Sequence, residues 1–180
     1  MRVLLVKLSS LGDVVHTLPA AMDIRRSVPG VQIDWVVEPA FASLVRLCPA
    51  VDQVIEMDLR RWRQSLLSGQ TRVAWQQFKQ HLQSQSYDRV IDLQGLTKSA
   101  LVSRLARLSP GGKRIAMANR TEGSSYEAPT RWVADRLIEL PPHIHAVDRA
   151  RVVCAQALGY EVPDEFHAGM PLIEIGRAHV

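Results

Sequence analysis

At 180 residues, with 47% apolar and 22% charged positions, the chain has about the length of one domain and a composition that buries a core, which excludes a disordered polypeptide. A net charge of +4 and a pI near 9.4 mark a mild basic excess, compatible with an anionic ligand or an anionic membrane face but identifying no partner. Cys48 and Cys154 are too few for a disulfide framework or a CxxC metal site and suit a reducing cytoplasm, and no apolar run approaches the roughly 18 residues of a spanning helix.

In chain order, residues 2–7 read as a buried strand, and Asp13–Ser27 follow with Val14, Leu18, Ala21 and Met22 at helical spacing before Pro29-Gly30. Gln32–Val37 is a second strand, giving way at Glu38-Pro39 to a short helix through Leu47, and Gln53–Met57 is a third. A basic connection then leads to a helix over Arg72–Gln83 carrying Trp75, Phe78 and Leu82 on one face. Arg89–Leu93 is the fourth strand, and Gln94-Gly95 opens a helix over Lys98–Leu108. Pro110-Gly111-Gly112 turns the chain into a fifth strand, Lys113–Met117. Asn119–Pro129 is loop-like, Thr130–Leu140 is expected to be helical, and His145–Leu158 forms a last helix. Strands alternating with helices predict an α/β, Rossmann-like fold: right-handed βαβ units and a parallel sheet covered on both faces.

Ligands of such sheets bind beyond the carboxyl ends of the strands. The five predicted exits carry Ser9-Ser10-Leu11-Gly12-Asp13, Glu38, Arg60-Arg61-Trp62-Arg63, Gln94 with Lys98, and Asn119-Arg120. One polar exit is equally well a solvated rim, but five together favour a site. No G-x-x-x-x-G-K-[ST] run is present, and Gly12 stands alone where a dinucleotide fold would show G-x-G-x-x-G, although Glu38 sits where such folds place a ribose-binding carboxylate. Without an Asp-x-Asp pair or HExxH spacing, no metal or other cofactor is expected.

Four blocks carry a family resemblance: the run from Lys7 through Ala20, Asp34-Trp35-Val36-Val37-Glu38, Arg60-Arg61-Trp62-Arg63, and the run from Ile91 through Ala100. With them the sequence resembles the bacterial lipopolysaccharide heptosyltransferases from Met1 to about Glu165, and the arginine block inclines it to the type I branch over type II. The resemblance implies the amino-terminal half of a two-domain GT-B glycosyltransferase. Such an enzyme moves L-glycero-D-manno-heptose from ADP-heptose to Kdo2-lipid A with inversion and without a metal, at the cytoplasmic face of the inner membrane. Residues 1–170 would hold the acceptor, and the donor would sit mostly in a carboxyl-terminal domain beyond this chain. Another GT-B sugar transferase, or a non-catalytic nucleotide- or glycolipid-binding module, remains the alternative; nucleic acid is not an expected partner.

Inverting transfer needs a base for the acceptor hydroxyl, and a carboxylate on a strand-to-helix turn suits that role. Asp13 is the expected base; an acidic residue there also favours the helix dipole without any catalysis. Ser9, Ser10 and Gly12 either contact substrate or satisfy the turn. Arg60, Arg61 and Arg63 are expected to grip phosphates and carboxylates bidentately, with Trp62 resting near a lipid or sugar face. Lys98 and Arg120 extend that surface, and Gln94 is expected to position a sugar hydroxyl. His16 reads as a partly buried structural histidine, Trp35, Trp75, Phe78 and Trp132 as packing aromatics, and both cysteines as core. Ile175–Val180 shows neither helical nor strand logic and coincides with one translated frame of a common sequencing adapter. A truncated, inactive gene fragment with a non-native or disordered tail over 171–180 is therefore expected.

Overall fold

The structure, a computed structural model, describes residues 1–65, 68–165 and 168; the expectation for residues 171–180 falls outside them. The order of elements is β1 (Arg2–Val6), α1 (Leu11–Ser27), β2 (Gln32–Val37), α2 (Pro39–Arg46), β3 (Gln53–Glu56), α3 (Leu59–Gln64), α4 (Gly69–Leu82), β4 (Ser86–Asp92), α5 (Thr97–Leu105), β5 (Arg107–Met117), α6 (Pro129–Val133), β6 (Arg136–Ile138) and α7 (Ala146–Leu158). The strands form one parallel sheet in the order β3-β2-β1-β4-β5-β6.

Side chains of successive strand residues point to opposite faces, and the continuous apolar run of β1 therefore feeds two cores. Val3 and Leu5 pack with Trp35, Leu18, Ile24, Val153 and Cys154 under α1 and α7. Leu4 and Val6 pack with Ile55, Phe78, Leu82 and Val102 under α4 and α5. Both cysteines are buried and unpaired, as expected of core residues.

Three segments depart from the sequence reading. The basic connection after β3 is the short helix α3, capped where the Asp58 carboxylate accepts the Arg61 amide at 3.2 Å. Pro110-Gly111-Gly112 lies within β5: the strand runs on from Arg107, and a register shift opposite Tyr87 and Arg89 absorbs the turn residues. A Cβ at Gly112 would lie 2.6 Å from the Tyr87 carbonyl oxygen, so the strands approach closely there. The helix expected over Thr130–Leu140 stops at Val133, because Arg136–Ile138 pair instead with Ile115–Met117 and close the sheet. Ladder bonds and the burial of Ile138 outweigh the local helical pattern. Among the described residues no helix is long and apolar enough to cross a membrane.

Candidate functional site

The strand order reverses direction at β1: β2 and β3 lie on one side, β4 to β6 on the other. The crevice between the exits of β1 and β4 is the topological switch point, where open α/β sheets bind ligands. Here the two exits are tied together. The Leu8 and Ser9 amides both donate to Gln94 Oε1, each at 3.1 Å. Asp92 holds Gln94 in turn: its Oδ1 accepts the Gln94 and Gly95 amides at 2.9 and 3.0 Å, and its Oδ2 accepts the Ser99 hydroxyl at 2.9 Å. Burial pushes the Asp92 carboxyl above its ordinary range, against these hydrogen bonds. Gly95, at φ +74°, makes the turn in the left-handed region, and a Cβ there would sit 3.1 Å from both Met117 Cε and the Ser125 carbonyl. Gln94 thus spends its carbonyl oxygen on the β1 loop, a structural role that the sequence reading did not include, and only its NH2 group is left to meet a sugar hydroxyl.

Asp13 lies in the first turn of α1. One carboxylate oxygen accepts the Ser10 amide at 3.2 Å and faces the Ser10 hydroxyl at 3.4 Å; the other lies 3.7 Å from Lys7 Nζ. The cap and the candidate base are therefore the same group, and its remaining lone pairs open onto a cavity of about 500 Å³ lined by Ser10, Gly12, His16, His145 and Arg149. His16 borders this cavity, its ring centroid 6.4 Å from that of His145, so it is a lining group and not only a packing one. Lys7 is buried, donating to the Leu93 carbonyl at 3.0 Å. Burial lowers its pKa, and the Asp13 carboxylate partly offsets the shift. Gly12 has room: a Cβ there would meet nothing within 4 Å.

On the other side of the crevice Lys98 Nζ donates to Ser9 Oγ at 2.9 Å and to Glu38 Oε1 at 3.0 Å. Arg60 Nη2 approaches the second Glu38 oxygen at 3.9 Å. One largely buried carboxylate at the exit of β2 thus gathers cations from α3 and α5. Among the predicted site residues the structure brings Ser9, Ser10, Gly12, Asp13, Gln94, Lys98 and Arg60 into this neighbourhood. Arg61 lines a separate groove of about 600 Å³ beside edge strand β3, with Arg46, Glu56 and His81. Arg63 is exposed on α3, and Arg120 is exposed beyond β5. No hydrogen bond or ion pair joins these three side chains to the crevice among the described residues.

Two aromatic assignments are corrected. Trp62 is only 6% exposed and packs edge-on against Trp75, ring centroids 5.5 Å apart, and beside Phe78, so it anchors α3 on α4 and offers no face to a lipid or sugar. Trp132 is 81% exposed and is no packing residue; the early end of α6 leaves it on the surface. Sequence reasoning passed over Lys7, Glu38 as a cation holder, and Arg149. A lysine closing an apolar strand next to an acidic turn is a legible signal for the first. The other two depend on contacts between distant segments and leave none.

A family model described as glycosyltransferase family 9 (heptosyltransferase) matches residues 75–170. The chain is 45% identical over 170 residues to lipopolysaccharide heptosyltransferase 1 of Pseudomonas aeruginosa, covering 91% of this chain and 44% of that protein. It is 42% identical over 164 residues to the enzyme of the same name from Escherichia coli K12, covering 91% and 49%. The solved structure of E. coli heptosyltransferase WaaC with ADP superposes with a TM-score of 0.82 at 39% identity, over 92% of this chain and 50% of that one. E. coli ADP-heptose lps heptosyltransferase II shares the fold at 19% identity, with a TM-score of 0.67 over 97% of this chain and 47% of that one. The chain spans about half the length of the curated relatives it matches.

Proposed function

Since the chain belongs to glycosyltransferase family 9, the heptosyltransferase family, we propose that it supplies the acceptor-binding half of a type I lipopolysaccharide heptosyltransferase. Residues 1–170 hold the acceptor, Kdo2-lipid A, and present its hydroxyl to ADP-heptose bound mainly by the rest of the enzyme. The work takes place on the cytoplasmic face of the inner membrane, which the chain meets by its surface. Identity of 41–45% to four relatives named lipopolysaccharide heptosyltransferase 1 supports type I.

The observation that carries the reading is Asp13 at the switch point, fixed on its cap yet open to a cavity. In the proposed step its carboxylate takes the proton of the acceptor hydroxyl. The freed oxygen bonds to the anomeric carbon from the face opposite the diphosphate, and the breaking C–O bond leaves its electron pair on ADP. A positioned base contributes roughly 10²–10⁴-fold. Lys7 keeps positive charge beside the carboxylate, and Ser9, Lys98 and Arg60 form a polar wall suited to the anionic groups of the acceptor. A dinucleotide-binding reading is disfavoured, because Glu38 is engaged by Lys98 and Arg60 where such a module would leave it free for a ribose. The test is a chimera in which residues 1–165 replace the corresponding half of the E. coli relative, assayed for addition of one heptosyl residue to Kdo2-lipid A by mass spectrometry. Transfer that depends on Asp13 is expected; a well-folded chimera that binds Kdo2-lipid A no better than an unrelated protein would count against the assignment.

A further inference from the structure

We propose that the outer face of α4, α5 and α6 docks on an anionic lipid bilayer, with Trp132 entering its headgroup region.

Helices α3 to α6 cover one face of the sheet: Trp62, Phe78, Leu82 and Val102 pack into the core beneath them, and Thr130 and Val133 of α6 line one crevice with Ala100 and Ser103 of α5. Every fixed charge on this layer is positive. Three arginines lie on α3, Arg72 and Lys79 on α4, Lys98 and Arg104 on α5, and Arg131 on α6, and no aspartate or glutamate occurs in any of the four helices. On the opposite face α1 and α7 mix aspartates with their arginines. The carboxylates bordering the basic layer come from its loops and are outnumbered: Glu127 accepts the Thr97 amide at 2.6 Å, and Asp135 accepts the Arg114 amide at 2.7 Å. The side chains of Arg72, Lys79, Arg104 and Arg131 are exposed and make no hydrogen bond or ion pair among the described residues. Across the sheet, exposed Arg26 is paired with Glu165 at 2.9 Å and Arg46 with Glu56. The unpaired cations leave their field free for an external anionic surface.

The same layer holds the apolar groups that the fold leaves outside. Trp132 is 81% exposed, and Leu101 and Val73 are each about half exposed. Leu101 and Arg104 stand one turn apart on the outward stripe of α5, the helix against which α6 packs. An indole among arginines is poorly placed in water and well placed at headgroup depth, where its ring leaves water while its N–H stays wet. A nucleic acid would answer the cations alone, whereas an anionic bilayer answers the cations and the apolar side chains together. The choice of a bilayer as the setting rests on the proposed function; the one-signed layer and its bare tryptophan do not.

The test is flotation of the 180-residue chain with vesicles of phosphatidylglycerol and phosphatidylcholine in equal parts, beside vesicles of phosphatidylcholine alone. Saturable binding to the anionic vesicles is expected, weakening as salt is added, with little binding to the neutral ones. Arg104→Gln combined with Arg131→Gln should weaken it roughly tenfold or more, and Trp132→Ala several-fold. Arg26→Gln combined with Arg46→Gln removes the same charge from the opposite face and should stay within about threefold of the parent. All of these side chains are exposed, and a melting curve checks that each variant is folded. Brominated phosphatidylcholine mixed into the anionic vesicles should quench tryptophan fluorescence in the parent, and most of that quenching should vanish in Trp132→Phe. Failure to float, equal binding to both vesicle types, or equal weakening by the two arginine pairs overturns the surface. So does tighter binding to polyuridylate than to vesicles, which gives the cations to nucleic acid, or self-association lost in Trp132→Ala, which gives the face to a second copy. The vesicles hold no sugar acceptor, so a chain that floats while its chimera transfers nothing counts against the heptosyltransferase reading alone, and a transferring chimera whose chain does not float counts against this surface alone.

Discussion

The Lys7 ammonium stands 3.7 Å from the Asp13 carboxylate while donating to the Leu93 carbonyl at 3.0 Å, so one buried cation joins the candidate base to the exit of β4. It does so at a desolvation cost that lowers its own pKa. In the unfolded chain Lys7 holds its proton up to about 10.5, and in the folded chain it releases it earlier. Between those two values the unfolded state binds more protons, so stability rises with pH; below the folded value the penalty is fully present. The stability of the parent relative to Lys7→Met should therefore increase as pH climbs through the alkaline range toward 10.5, measured by urea unfolding at fixed salt. A difference independent of pH would show that Lys7 is not desolvated as described.

Asp13→Asn keeps an oxygen for the Ser10 amide and removes the base. Stability should change by less than about 1 kcal/mol, the scale of a neutral cap exchange. In the chimera, kcat should fall roughly 10²–10⁴-fold with the KM for Kdo2-lipid A nearly unchanged. Steady-state kinetics alongside a melting curve separate the two effects, and transfer within tenfold of the parent places the base elsewhere.

Gln94→Leu is nearly isosteric but orphans the buried Leu8 amide and the partly buried Ser9 amide. Each buried donor left unpaired costs about 1–3 kcal/mol, and a combined loss of about 2–4 kcal/mol is expected in chemical denaturation. Were Gln94 a sugar contact instead, stability would hold and only the acceptor KM would move.

Gly12→Ala discriminates in the opposite sense. Gly12 has no left-handed φ, and a Cβ there meets nothing, so a helical alanine should stabilise by about 0.5–1 kcal/mol, raising Tm by a few degrees. The added methyl borders the Asp13 cavity, so the acceptor KM or kcat of the chimera should worsen several-fold. Gains in both stability and activity would show that the cavity is not used.

What the sequence determined by itself was the local part. The apolar runs of β1, β2 and β4, the helical spacing of α1 and α7, and the punctuation at Gly12, Glu38-Pro39 and Gln94-Gly95 follow from periodicity and turn chemistry within a few residues. That was enough for the α/β class, and for proposing a site at the strand exits with Asp13 as its base. Tertiary structure decided what each polar side chain spends its donors and acceptors on. Gln94 answers amides 85 and 86 residues away, Glu38 collects a lysine 60 residues distant, and Trp62 leaves the basic cluster to join Trp75 and Phe78. The sixth strand likewise exists because Ile115–Met117 offered an open edge to Arg136–Ile138. Hydrogen-bond satisfaction and edge pairing are properties of surfaces meeting in space, and a pattern confined to neighbours along the chain does not encode which surfaces those are.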